Sequence, residues 1–72
     1  MFVASPEALA AVVRARRKDL GLTQADLSDA TGISTRAIFA LENGKASISF
    51  KNLLLILEVL GLEVDVEVKR NG

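Results

Sequence analysis

The sequence predicts an all-α fold of four helices, followed by one short C-terminal strand, on three observations. Hydroxyl residues stand ahead of each stretch of helical apolar periodicity, at Ser5, Thr23, Ser34 and Ser49. There a side-chain oxygen can accept the free amides of a first helical turn. Glycines close the same stretches, at Gly21, Gly32, Gly44 and Gly61, the usual helix stop. After Gly61 the apolar period falls to two: Leu62, Val64, Val66 and Val68 alternate with Glu63, Asp65, Glu67 and Lys69, a half-buried strand pattern.

The first helix runs from Pro6, whose missing N–H costs nothing at a helix start, to about Leu20, with Leu9, Val12, Val13 and Leu20 as its apolar stripe. The second runs from Gln24 to about Thr31 with Leu27 and Ala30 inward. The third runs from Thr35 to about Asn43 with Ala37, Ile38 and Leu41 inward. Three of the starts carry a hydrophobic staple, an apolar residue before the cap facing another in the second turn: Leu22 with Leu27, Ile33 with Ile38, Ile48 with Leu53.

The fourth helix, Phe50 to Leu60, is apolar on two sides. Phe50, Leu53, Leu54, Leu57 and Leu60 make one face; Leu55, Ile56 and Val59 make another. So short a chain cannot cover both, so the second face is expected to meet another copy. The strand has the same requirement, because its backbone groups need a partner and no second convincing strand exists in the chain. Antiparallel pairing with its twofold mate answers both. The expected dimer seam is therefore Leu55, Ile56, Val59, Leu62, Val64, Val66 and Val68, with residues 1–61 as the functional domain and residues 62–72 as dimerisation strand and tail.

Composition agrees with a small assembly. Seventy-two residues, half of them apolar and none cysteine, make one domain that buries only about 60% of its unfolded surface, and scaffolds of this size often gain stability by oligomerising. Nine basic and nine acidic residues cancel, which excludes a protein holding nucleic acid by bulk charge alone. Arg14, Arg16, Arg17 and Lys18 nevertheless cluster at one helix end, with Arg36 and Lys45 beyond. No basic, apolar signal opens the chain, and the run from Leu53 to Leu62, broken by Glu58 and Gly61, is far below the ~20 residues of a membrane span. A cytoplasmic location and no membrane partner are expected.

Without His or Cys there is no imidazole base, thiol nucleophile or zinc cluster, so neither enzyme chemistry, a metal nor a cofactor is expected. Asp26 with Asp29, and Glu63 with Asp65 and Glu67, read as solvated faces, the second alternatively as a dock for a basic protein.

Two short helices joined by Thr31-Gly32-Ile33-Ser34 have the layout of a helix-turn-helix, which points to duplex DNA. A rotation of 100° per residue places Thr35, Arg36, Phe39, Ala40 and Asn43 opposite the inward Ala37, Ile38 and Leu41. The expected base-reading set is Ser34, Thr35, Arg36, Phe39 and Ala40. Arg36 suits guanine, a small hydroxyl either base type, and the apolar pair a thymine methyl; Phe39 could equally pack on a neighbouring helix. Gln24, at a helix N-terminus, is the first choice for a phosphate contact, with Asn43 and Lys45 next, although Lys45 also reads as a solvated loop cation. Arg17, one turn after Val13, and Glu42, at the edge of the third helix's inner face, could form a partly buried ion pair.

Through Arg17, Gly21-Leu22-Thr23-Gln24, Gly32-Ile33-Ser34 and Leu41-Glu42-Asn43-Gly44-Lys45, the segment from Leu9 to Leu62 resembles the lambda-repressor-like domain of the Cro and phage-repressor superfamily. That resemblance implies a phosphate contact at Gln24, base reading at the start of the third helix, and an internal Arg17–Glu42 pair. A narrower similarity is to HipB-type antitoxins, through Ser5-Pro6, Leu9-Ala10 and the leucine-rich fourth helix that leads straight into a strand. It implies a homodimer with paired strands, a palindromic double-stranded DNA operator in its own promoter, and a HipA-type serine/threonine kinase toxin as partner. Ser34 and Thr35 depart from that pattern, being small where long polar side chains often reach bases. A stand-alone repressor without a toxin, and a protein-interaction module without DNA binding, are the alternatives.

Overall fold

A computed structural model of the chain describes residues 2–69. Four helices form: α1 (Pro6–Asp19), α2 (Gln24–Thr31), α3 (Thr35–Glu42) and α4 (Phe50–Val59). Each starts where a hydroxyl takes a first-turn amide, Ser5 from Ala8, Thr23 from Asp26, Ser34 from Ala37 and Ser49 from Asn52. Thr23 and Asp26 complete a capping box, the Asp26 carboxylate accepting the Thr23 N–H at 2.9 Å.

α1, α3 and α4 end alike, in paired backbone bonds that satisfy their last carbonyls. For α1 these run from Gly21 N to Lys18 O at 2.9 Å and from Leu22 N to Arg17 O at 3.0 Å. The stop after α2 differs. Gly32 takes φ +76°, and the Thr31 hydroxyl donates to the Leu27 carbonyl at 2.8 Å while accepting the Ile33 N–H at 3.2 Å. One threonine therefore ties the last turn of α2 to the first residue beyond the glycine, which fixes how α3 leaves.

α3 packs between α1 and α2, and α2 also packs on α4. The core they enclose is Val13, Leu27, Ile33, Ile38, Leu41, Ile56, Leu57 and Leu60, with Leu9, Leu22, Ala37, Ile48, Leu53 and Leu62 against it. Every staple residue lies in or against this cluster.

Four expectations are corrected. Leu20, expected in the apolar stripe of α1, caps that helix and is 42% exposed. Ala30 is exposed rather than inward. Ile56, expected in the dimer seam, is fully buried within its own chain, whereas Phe50 and Leu54, expected inward, are 63% and 40% exposed. The cause is the phase of α4: its core stripe, Leu53, Ile56, Leu57 and Leu60, is rotated about the helix axis towards Ile56 and away from Phe50 and Leu54. Leu55 and Val59 remain partly exposed.

No strand forms among the described residues. A ladder needs a partner, and among the described residues none pairs with 62–69. Leu62 packs on the core, Val64 is exposed, and Val66 and Val68 are 87% and 92% exposed. The last three residues of the expected 62–72 segment lie outside the described residues.

Gly32→Ala is expected to cost about 1–2 kcal/mol, the strain of a side chain in the left-handed region, because no atom crowds the position and only the backbone objects. Chemical denaturation would measure it, with Gly32→Asn losing less.

Candidate nucleic-acid interface

Ser34 caps α3, its oxygen accepting the Ala37 N–H at 3.1 Å. The cap leaves Thr35 and Arg36 exposed on the opening turn. One turn on, Phe39 is 59% exposed and Ala40 half-buried, while Ile38 and Leu41 hold the other side of the helix in the core. Among the described residues Arg36 makes no ion pair. The residue types fit a groove wall: a guanidinium fork for guanine, a hydroxyl, and apolar surface for a thymine methyl.

Behind this face stands a buried charge network. Arg17 on α1 grips Glu42 at the end of α3 with two bonds, Nε to Oε2 at 2.7 Å and Nη2 to Oε1 at 2.8 Å. Its third nitrogen group, Nη1, donates to the Leu22 carbonyl at 2.8 Å. Gln24, first residue of α2, donates from Nε2 to the same Glu42 oxygen at 3.2 Å. Arg17 and Glu42 are both buried, and no buried side-chain polar atom among the described residues lacks a partner. One carboxylate thus joins α1, α2 and α3. Pairs of this kind add little net stability against a well-packed apolar substitute, yet breaking one strands a buried charge.

Burial by itself pushes the Glu42 carboxyl up, but the hydrogen bonds from Arg17 and Gln24, with the charges of Arg17 and Arg14, outweigh it and hold the group below the usual carboxylate range. The Arg17 guanidinium is raised by its bond to Glu42. Asp26 is held low by the Thr23 backbone N–H and then the Thr23 side chain.

Of the residues expected on phosphate, Gln24 has one amide hydrogen on Glu42 and a second to offer. Asn43 is exposed but turns its side-chain amide back onto the Phe39 carbonyl at 2.7 Å, closing α3. Lys45 is exposed just beyond. Gln24, Phe39 and Asn43 line a cleft of ≈170 Å³ together with Arg14, Arg17 and Glu42. Sequence reasoning passed over Thr31 and Arg14. Thr31 carried a signal, a hydroxyl in the last helical turn ahead of a glycine; Arg14 carried none beyond its place in a basic cluster.

Residues 13–66 match the family model described as Helix-turn-helix, HTH_3. The chain belongs to that family. It is a helix-turn-helix DNA-binding transcriptional regulator. It is 33% identical to the HTH-type transcriptional regulator y4mF of Sinorhizobium fredii, over 89% of this chain and 84% of that one. To an HTH-type transcriptional regulator of Methanothermobacter thermautotrophicus it is 40% identical, over 72% of this chain and 75% of that one. In three dimensions this helix-turn-helix protein is similar to HipB in a HipB–O4 20mer complex, with TM-score 0.85, 26% identity, and 97% and 99% of the two chains covered. It is equally similar to a chain of a HipA–HipB–O2–O3 complex, at TM-score 0.85, 26% identity and the same coverage. Among its described residues no three His, Cys, Asp or Glu come together, and no helix is long and apolar enough to cross a membrane.

Because folding lowers the pKa of Glu42, its contribution to stability is complete above the unfolded glutamate value of about 4.3 and is lost as pH falls through the folded value. Glu42→Gln should therefore be less stable than the parent by about 2 kcal/mol at neutral pH, and the gap should close below about pH 4. Thermal melts of both proteins from pH 7 down to pH 3 would show it.

Proposed function

We propose that the protein is the antitoxin and autorepressor of a type II toxin–antitoxin operon. As a homodimer it places two α3 helices in successive major grooves of an inverted-repeat operator, about one helical turn apart, and it neutralises a HipA-type serine/threonine kinase. The observation that carries the reading is the likeness to HipB along nearly all of both chains, beyond the helix-turn-helix itself. Residues 1–61 would be the DNA-binding domain and residues 62–72 the dimerisation strand and tail.

In this reading Ser34, Thr35, Arg36, Phe39 and Ala40 face bases, and Gln24, Asn43 and Lys45 face phosphates. Leu55, Val59, Leu62, Val64, Val66 and Val68 form the seam. Two features of the single chain support a second copy. Val66 and Val68 stand almost wholly in water, and a separate apolar groove of ≈360 Å³ lies open, lined among others by Leu9, Val12, Phe50, Leu53, Leu57 and Val64. The relatives named as transcriptional regulators favour the second reading, a stand-alone repressor. Co-purification of the native protein with the product of a neighbouring kinase-like frame distinguishes the two: capture of the kinase, with loss of its activity, supports the antitoxin, and a native dimer that binds its operator but never a kinase supports the repressor.

Arg36→Ala should relax preference at one base position by about 1–3 kcal/mol, while Lys45→Ala weakens all sequences alike and lowers the salt slope by about 1. Competition binding at several salt concentrations separates these roles. Val66→Asp should shift the solution mass towards monomer and reduce operator affinity with it; light scattering that still returned a dimer would remove residues 62–68 from the interface.

A further inference from the structure

We propose that Arg14 is a phosphate-positioning residue, and that from α1 it closes a seat for one DNA backbone phosphate whose other walls are Gln24 of α2 and Asn43 at the end of α3. The ≈170 Å³ cleft that all three line also contains Arg17, Phe39 and Glu42.

The charge balance of that cleft decides what it can hold. Both Glu42 oxygens are engaged, Oε2 by Arg17 and Oε1 by Arg17 and Gln24. Each nitrogen group of Arg17 has a protein acceptor, two on Glu42 and one on the Leu22 carbonyl. The buried pair is therefore neutral as a unit. Arg14 is what remains: exposed, and without an ion-pair partner among the described residues. Arg14 and Arg17 against Glu42 leave the cleft with one net positive charge, with the second Gln24 amide hydrogen available to it, although Arg14 also feels the Glu42 carboxylate.

Its position selects the anion. Phe39 and Asn43 belong at once to the cleft wall and to the exposed face of α3. A group seated here therefore adjoins whatever α3 reads, and for a DNA-binding helix that neighbour is a backbone phosphodiester, singly charged and rich in acceptors. Contacts from three helices to one phosphate would fix the depth and rotation of α3 in the groove without reading sequence. The inference rests on the phosphate role given to Gln24 and Asn43 above.

The test is the salt dependence of binding of the full-length dimer to its operator and to a random duplex. Arg14→Ala should weaken both duplexes by a similar factor, roughly tenfold near physiological salt, and reduce the slope of log affinity against log salt by about 0.9, the loss of one phosphate contact. Thermal stability should be unchanged, and Arg14→Lys should restore most of the slope. The double variant of Arg14→Ala with Gln24→Ala should lose less than the sum of the two, since both act on one phosphate. An unchanged slope, a loss confined to one base position, or strict additivity overturns the proposal. So does a drop in melting temperature with the slope intact, which would make Arg14 a support for Glu42 only. If Gln24→Ala has no effect while Arg14→Ala flattens the slope, the Gln24 assignment fails and the Arg14 contact stands, though not the shared seat.

Discussion

The Glu42 carboxylate is the constraint on which the mutual setting of α1, α2 and α3 depends. α3 has only eight residues, too few to hold a helical form or a direction unaided in water. Its inner side is fixed by Ile38 and Leu41 in the core, which sets its depth but leaves it free to rock. The bidentate grip of Arg17 on its last residue removes that freedom, because a guanidinium fork and a carboxylate meet in one plane. Gln24 draws the start of α2 to the same point. The start of α2 and the end of α3 are thus referred to a single side chain, and any displacement of one leaves a buried charge short of a partner.

The turn between those helices is held by different means. Thr31 and Gly32 act together: the glycine turns the chain into a conformation other residues resist, and the Thr31 hydroxyl bridges the carbonyl before the turn to the amide after it. The bond network at Glu42 acts at the far end of α3 and the Thr31 bridge at its near end. Between them the exposed face of Thr35, Arg36 and Phe39 is held by fixed supports on either side.

Much of the fold was legible because its boundaries are local chemistry. A hydroxyl cap or a glycine stop acts within four or five residues, so Ser5, Thr23, Ser34 and Ser49 mark the same starts in sequence and structure. The exposed side of α3 was legible for a related reason: Ile38 and Leu41 mark its inner side and Thr35 and Arg36 its outer one, although the apolar Phe39 and Ala40 left the packing of that outer side open. α4 admits several, since Phe50, Leu53, Leu54, Leu55, Ile56, Leu57, Val59 and Leu60 leave almost no polar side to point outward. Periodicity cannot set the phase of a helix that is apolar nearly all round, which is why the pattern points Ile56 outward and Phe50 inward where the packing has them reversed. At the candidate interface the spacing suggested that Arg17 and Glu42 could meet. It held nothing about the engagement of Gln24 with the same carboxylate, or about Arg14 on the rim of their cleft.

What the sequence determined by itself is the number of helices, their ends, the helix-turn-helix and the side of α3 left for a ligand, all consequences of interactions between residues close in the chain. What only the tertiary structure decided is the rotation of α4, the sharing of one carboxylate among three helices, and the company Arg14 keeps. Those depend on distances between residues ten or more positions apart, where the chain can close in many ways and packing against a common core selects one.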